Sequence, residues 1–486
     1  MYTPFHSKKL SLLRQTAREY TLKMHYQTIT QLAPLIESGK LSPVELTQSQ
    51  LDRISALDGT LKSYATVTAE LAIEQAKTAE HEIANGNYKG KLHGIPIAVK
   101  DLCNTAGIRT MGGSAVFADN VPDHDATVVI KLREAGAISL GKLNMTEGAM
   151  GGYNPKLQIP ENPWKASHWA GASSSGSGSA TAAGLAFGTL GSDTGGSIRH
   201  PAAVCGTVGL KPTWGRVSRH GVMDLAQSLD HVGPLTRSAA DAGIVLQAIA
   251  GVDPNDPTTL PHDVPNMLSE VGKGVSGLKI GWDEEYSLGD MEPSFAAAVE
   301  AGVKVMESLG AKIVTVKMPE IMREAMAAWP IICSSEAAMA HRETYPSRKD
   351  EYGPFFREWL ENGSAHTAIE YAEAHALRLE MNGGLRNTMR NIDVLAGPST
   401  AKASYPVDPD GLYGPIPPNR KPWDSRFTVP FDFSGLPTIA LPCGLDTRGM
   451  PVSLQFSGHH LSEPMLVGAG DAFERATDFH NLHPPV

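Results

Sequence analysis

The chain has no run of about 18 apolar residues, which excludes a membrane-spanning helix. Cysteine is scarce: four in 486 residues, at 103, 205, 333 and 443, with no C-x-x-C pair. That argues against a disulfide framework and reads as reduced, buried thiols in a cytoplasmic protein. Basic residues are outnumbered, 42 Lys+Arg against 52 Asp+Glu, and the formal net charge of −10 argues against nucleic acid as the main ligand. Neither a G-x-x-x-x-G-K-[ST] motif nor a G-x-G-x-x-G with an acid at dinucleotide spacing is present. Internal repeats and blocks of like charge are missing too. With 41% hydrophobic and 19% charged residues, the chain reads as ordered and globular, long enough to bury a sizeable core. Residues 1–23 are basic but lack the apolar stretch of a signal peptide. We therefore read 1–25 as an N-terminal extension and 26–486 as one domain.

What is present is a Ser/Gly-rich stretch at 171–199, GASSSGSGSATAAGLAFGTLGSDTGGSIR. A flexible linker would look similar at its ends. Its interior, Ala180 to Leu190, is small and apolar and suits a tightly packed helix or strand. Two Gly/Ser loops bracketing one buried element are therefore expected. In the second loop, Asp193-Thr194-Gly195-Gly196-Ser197, adjacent glycines let successive N–H groups converge, and a hydroxyl follows at once. Acyl transfer needs a nucleophile beside such amides. Taken alone, the loop reads first as a phosphate-binding loop or a tight turn. The catalytic reading requires a base.

Hydrophobic periodicity along the rest of the chain alternates helix and strand, the pattern of an α/β fold with a mixed sheet. Residues 26–83 read as helices, one opening at Ser42-Pro43 with Glu45 three residues after the cap, another over about 69–84. Residues 92–101, LHGIPIAVKD, read as a buried strand with Lys100 at its C-terminal end. Lysine is seldom buried without a partner or a task, although an exposed lysine at a strand end is the commoner case. Residues 126–143 read as helix, Gly136 turn and a strand over 137–140. Strands follow at 207–211, 278–282, 312–317 and 392–396, with helices at 238–251 and 294–309. Residues 320–390 read as a helical insert and 405–422 as a Pro-rich loop, before a closing α/β segment at 433–476.

Lys100 supplies the missing base if it is neutral, and a Ser–Lys pair is a known variant of triad chemistry. At this point the chain resembles the amidase signature hydrolases. The resemblance rests on GIPIAVKD, the Gly/Ser loop, GSDTGGSIRHPAAVCGTVGLKPTWGRVSRHG (191–221), DHVGPLTR (230–237), GLPTIALPCG (435–444) and GMPVSLQF (449–456). It implies an α/β fold whose central mixed, twisted sheet is covered by helices on both faces. It also implies a Ser–cis-Ser–Lys triad, with Ser197 as nucleophile, Ser173 in a cis peptide and Lys100 as base. The implied oxyanion amides are those of Thr194, Gly195, Gly196 and Ser197, braced by Ser174, Asp193 and Arg199. No metal or organic cofactor is implied. One departure stands out: the family pattern G-G-S-S-G-G-S here reads Gly171-Ala172-Ser173-Ser174-Ser175-Gly176-Ser177, which places side chains at 172 and 175.

The expected function is an amidase cleaving carbon–nitrogen bonds of small or aryl amides through an acyl-enzyme, with esters and carbamates as further substrates. The expected partner is a small-molecule amide, with no nucleic acid, no membrane span, and a monomer or homodimer. The alternative is the glutaminase (A-type) subunit of a tRNA-dependent amidotransferase complex. It is disfavoured because 421–437 lacks that subunit's D-P-L-x-M-Y-type segment. Residues 90–240 would hold the signature core and 320–425 a substrate-pocket region. Met145, Gly148, Gly151 and Trp329 are expected pocket residues, with Trp164, Phe355, Phe356, Tyr413 and Trp423 as further aromatic candidates. His168 and His200 are read as structural or as pocket wall.

Overall fold

Among the described residues, eleven strands join in one mixed sheet. In chain order they are β1 (Tyr64–Val67), β2 (Pro96–Lys100), β3 (Ile138–Leu143), β4 (Gly188–Asp193), β5 (Val208–Lys211) and β6 (His231–Thr236). The second half adds β7 (Lys279–Trp282), β8 (Lys312–Thr315), β9 (Val394–Pro398), β10 (Thr438–Leu445) and β11 (Pro451–Gly458). The structure is a computed structural model that describes residues 24–486, apart from the side chains of Pro422 and Trp423. Most of the expected N-terminal extension therefore lies outside the described residues.

The spatial order is β1-β3-β2-β4-β6-β5-β10-β11-β9-β7-β8. Three strands at its heart matter most: β2 runs parallel to both β3 and β4, while β6 lies antiparallel to β4. Every residue of β2, β4, β5, β6, β9 and β11 is buried. Successive side chains of a strand point to opposite faces, so complete burial means that both faces of the sheet are covered. The edge strands β1 and β8 are partly exposed. The α/β fold with a mixed central sheet is as expected.

Local signals explain most boundaries. The helix Pro43–Leu61 opens where Ser42 Oγ accepts from the amides of Val44 and Glu45, and the helix Ala69–Ala84 follows. The helix Ala239–Ile249 is capped by Ser238, whose Oγ accepts from Asp241 N. The 320–390 insert folds as helices Met322–Ala340, Pro354–Ala365 and Ala368–Thr388.

Three readings need correction. Residues 26–83 are not all helical: Tyr64–Val67 forms β1, held antiparallel to β3 at the sheet edge. The strand expected over 137–140 runs on to Leu143 and carries a buried lysine, Lys142. The stretch expected as two loops around one buried element holds two, a helix Ser175–Ala182 and then β4. The serines and glycines of that helix are themselves fully buried, because their small side chains admit close approach of neighbouring backbone. A Cβ at Gly176, for instance, would lie 2.5 Å from the carbonyl oxygens of Asn144 and Ser63.

Candidate active site

Lys100 ends β2 with its side chain wholly buried. Its Nζ lies 2.6 Å from Ser173 Oγ and 2.9 Å from Ser192 Oγ. Burial pulls the amine down to about 7, against the opposing pull of Cys103, Asp193 and Asp230. A lysine with hydroxyl partners and no close carboxylate has little to hold its charge once water is gone. Two other buried lysines show the contrast. Lys142 donates to Cys103 O and Thr110 Oγ1 and stands 3.5 Å from Asp101, while Lys211 donates to the carbonyls of Leu436 and Pro212. Of the three, Lys100 is the one that meets serine hydroxyls.

Ser173 follows a cis peptide bond at Ala172–Ser173, as the resemblance implies. Its carbonyl accepts from Thr146 N at 3.1 Å. The next residue, Ser174, fastens the turn to β4 through Ser192: its Oγ accepts from Ser192 N and donates to Ser192 O, both at 3.3 Å. Gly171 enters the turn at φ +86°, packed so closely on Pro201 that no Cβ would fit.

The loop leaving β4 is built around one buried carboxylate. Asp193 accepts from Gly196 N (2.6 Å), Ile198 N (3.0 Å) and Arg199 Nε (3.0 Å), and pairs with Arg199 Nη2 at 2.9 Å. Burial alone would raise its pKa, but the Arg199 guanidinium outweighs burial and holds the carboxyl well below the usual range. Arg199 in turn reaches Asp432 Oδ2 at 2.7 Å and Thr428 O at 3.0 Å, on a segment more than two hundred residues away. Of the expected braces, Ser174 bonds the backbone of Ser192 and Asp193 that of Gly196 and Ile198, while Arg199 reaches the loop through the Asp193 carboxylate. Gly196 differs from the expectation. Its amide is committed to Asp193, leaving those of Thr194, Gly195 and Ser197 as candidates to face a ligand.

Other contacts fix the loop from outside. Trp329 Nε1 donates to Thr194 O at 2.9 Å, and Thr428 Oγ1 donates to Gly195 O at 2.7 Å. Thr194 Oγ1 donates to Asp230 at 2.5 Å, and burial raises the Asp230 carboxyl to about 7. Ser197, Thr194, Gly195 and Ala172 open onto one cavity of about 750 Å³.

Gly151, Trp329 and Phe355 line that cavity, and so does His200, whose imidazole burial lowers to about 4. Met145 and Gly148 do not. Met145 is buried away from the lining, and Gly148, in the short 3₁₀ turn at 147–149, packs against the Phe356 ring, while Ala149 and Met150 face the cavity instead. Phe356 is thus core. Trp164 Nε1 donates to Cys205 O and Tyr413 OH to Leu157 O, both outside the lining, and the Trp423 side chain lies outside the described residues. His168 is a buried structural residue near Ala166 O.

The sequence reading missed Ser192, Thr428, Asp432, Tyr153 and Trp169. Only Asp432 carried a signal: an acid flanked by Phe431 and Phe433 on a short buried helix requires a cationic partner. The aromatic wall residues Tyr153 and Trp169 sit in loops where no periodicity marks a face.

The Amidase family model matches residues 45–467. A Mycobacterium tuberculosis protein named "Putative amidase AmiD" is 45% identical over 94% of this chain and 96% of its own length. The A-type subunit of the Moorella thermoacetica glutamyl-tRNA(Gln) amidotransferase is 37% identical over 96% of this chain and 99% of its own. Among solved structures, the native peptide amidase from Stenotrophomonas maltophilia superposes with a TM-score of 0.81 at 30% identity, covering 95% of this chain and 98% of that one. The fold and its relatives define an enzyme class that acts on amides. The chain belongs to the amidase signature family.

Proposed function

We propose that the chain is an amidase that hydrolyses small or aryl amides through a Ser197 acyl-enzyme, with Ser173 and Lys100 as its proton relay. The observation that carries this is the buried amine of Lys100, 2.6 Å from Ser173 Oγ and held near 7. In its neutral form that amine takes a proton from Ser173, which takes one from Ser197 as its oxygen attacks the carbonyl carbon. The amides of Thr194, Gly195 and Ser197 meet the oxyanion, each well-placed donor being worth about 3–4 kcal/mol. The relay then runs backwards, delivering a proton to the leaving nitrogen, and water releases the acyl group. Esters and carbamates present the same carbonyl and fit the same machinery.

The cavity favours flat substrates: Trp169, Tyr153, Phe355, Tyr405 and Trp329 stand around it, and it exceeds what a primary acyl amide fills. Relatives named for the A-type chain of a glutamyl-tRNA(Gln) amidotransferase support a second reading, a glutaminase within such a complex. The segment 421–437 speaks against it, lacking the D-P-L-x-M-Y-type pattern.

Intact mass after incubation with a fluorophosphonate probe tests the proposal on the wild type, Ser197→Ala and Lys100→Ala. A single adduct that is lost in Ser197→Ala and slowed in Lys100→Ala supports it. No adduct on folded wild type rejects it and favours the partner-dependent reading.

A further inference from the structure

Tyr153 occupies an unusual junction. Its backbone N–H donates to Leu412 O at 2.9 Å, on the short helix Pro409–Leu412 at the cavity mouth. Its hydroxyl donates to Ser175 Oγ at 2.8 Å, two residues beyond Ser173. Both side chains are buried, Tyr153 to 3% exposure and Ser175 completely, so their mutual bond is not shared with bulk water. Tyr153 also lines the catalytic cavity, as does Leu412. A neighbouring bond, Tyr413 OH to Leu157 O at 2.7 Å, ties the same mouth segment to the same loop.

Ser175 stands where the family pattern has glycine. A glycine there would give the phenol nothing to bond, and a buried phenol without a partner is costly. The serine hydroxyl is therefore matched to the tyrosine, and the pair links the mouth of the cavity to the catalytic turn. The turn is also fastened by Lys100 Nζ to Ser173 Oγ, Thr146 N to Ser173 O, Gly176 N to Asn144 O, and Ser174 to Ser192. The Tyr153 hydroxyl reaches this turn from the residue whose amide meets Leu412 at the mouth.

We propose that Tyr153 is a positioning residue for Ser173: through Ser175 it carries the seating of the 409–413 segment into the alignment of the proton relay. The inference rests on the hydrolase reading above. Seating the mouth over a bound substrate draws on the Leu412 contact, and the phenol passes that placement to the turn. A misplacement of the relay by a fraction of an ångström is enough to slow proton transfer markedly.

Tyr153→Phe, Ser175→Ala and the double variant provide the test. Each is read by thermal unfolding and by the kinetics of Ser197 labelling with a small alkyl fluorophosphonate, resolved into the maximal rate kinact and the half-saturating concentration KI. We expect kinact to fall about tenfold or more in each single variant with KI within about twofold, and the double variant to match the singles. A merely structural bond would lower the unfolding temperature and leave kinact unchanged, which overturns the proposal. A raised KI at full kinact overturns it as well, because Tyr153 is then only a wall contact. Additive losses in the double variant break the proposed route through Ser175. Should Tyr153→Phe fail to fold, Ser175→Ala alone carries the same expectation. A wild type that does not label removes the hydrolase reading and this inference together, whereas a labelled wild type with unaffected variants removes this inference alone.

Discussion

Lys100 Nζ sits 2.6 Å from Ser173 Oγ and 2.9 Å from Ser192 Oγ, so the buried amine is bonded to two hydroxyls rather than to a carboxylate. Burial with no carboxylate in contact outweighs the more distant pull of Asp193 and Asp230 and holds it near 7.

The first consequence is a pH profile. In the proposed mechanism the working form of Lys100 is the neutral one, so kcat/KM is expected to rise with pH and to be half-maximal near 7. Lys100→Ala lowers kcat/KM by roughly a thousandfold or more and abolishes that limb. Initial rates between about pH 5 and 9 check both; a profile flat across 7 in the wild type removes Lys100 as the base.

Ser192 should tune that amine. Its hydroxyl accepts from Lys100 Nζ and so favours the charged form, and Ser192→Ala removes that support. The rising limb then moves to lower pH, while the rate at its plateau falls about tenfold because the amine is less well held. The same pH series, run on the variant, measures both effects.

Asp193 bears on stability as much as on geometry. Asp193→Ala leaves Arg199 and the amides of Gly196 and Ile198 without their shared acceptor, a loss of about 3–5 kcal/mol. Its folded carboxyl lies below the ordinary range, so its contribution is complete above the unfolded pKa and is lost as pH falls through the folded one. Urea midpoints at neutral pH and in strong acid check this: the gap between wild type and variant is wide in the first and closes in the second.

Gly195 faces the indole of Trp329, and a Cβ at that position would come within 2.6 Å of the ring. Gly195→Ala displaces the loop that carries Ser197 or the tryptophan that holds it. Labelling of Ser197 slows by about tenfold or more while global unfolding shifts by only about 1–3 kcal/mol. Labelling at the wild-type rate would show that the loop does not depend on this contact.

Several elements that position the candidate site were legible because they lie in short, local signals. Ile97 and Val99 pattern a buried strand that ends in Lys100, Ser42 caps a helix, and Gly195-Gly196 before Ser197 marks a tight loop after a strand. The helix Ser175–Ala182 was not legible as one, since Ser and Gly have poor helix propensity and only burial against neighbouring backbone overrides it. The commitment of Gly196 N to Asp193 was equally hidden, because it depends on how a side chain folds back over three residues. Asp432 and Thr428 reach the site from across the chain, at separations of 229 residues from Arg199 to Thr428 and 233 to Asp432, where no spacing rule applies. Gly148 was misplaced because a short 3₁₀ turn, with Gly148 at φ +56°, sets it against Phe356 and leaves Ala149 and Met150 to the cavity.

Strands β2 and β4 are parallel neighbours, paired Ile97 with Gly188 and Val99 with Leu190. Lys100 leaves the end of one and the Ser197 loop leaves the end of the other. Backbone hydrogen bonds therefore set the spacing between the proposed base and the proposed nucleophile, as a ruler with fixed graduations. Loops and helices that make no bond to the catalytic turn can be lengthened, shortened or exchanged without moving that scale, whereas the 409–413 segment, tied to the turn through Tyr153, cannot. A one-residue insertion within β4 has the opposite character: it turns every following side chain to the other face and separates the two halves of the relay in one step.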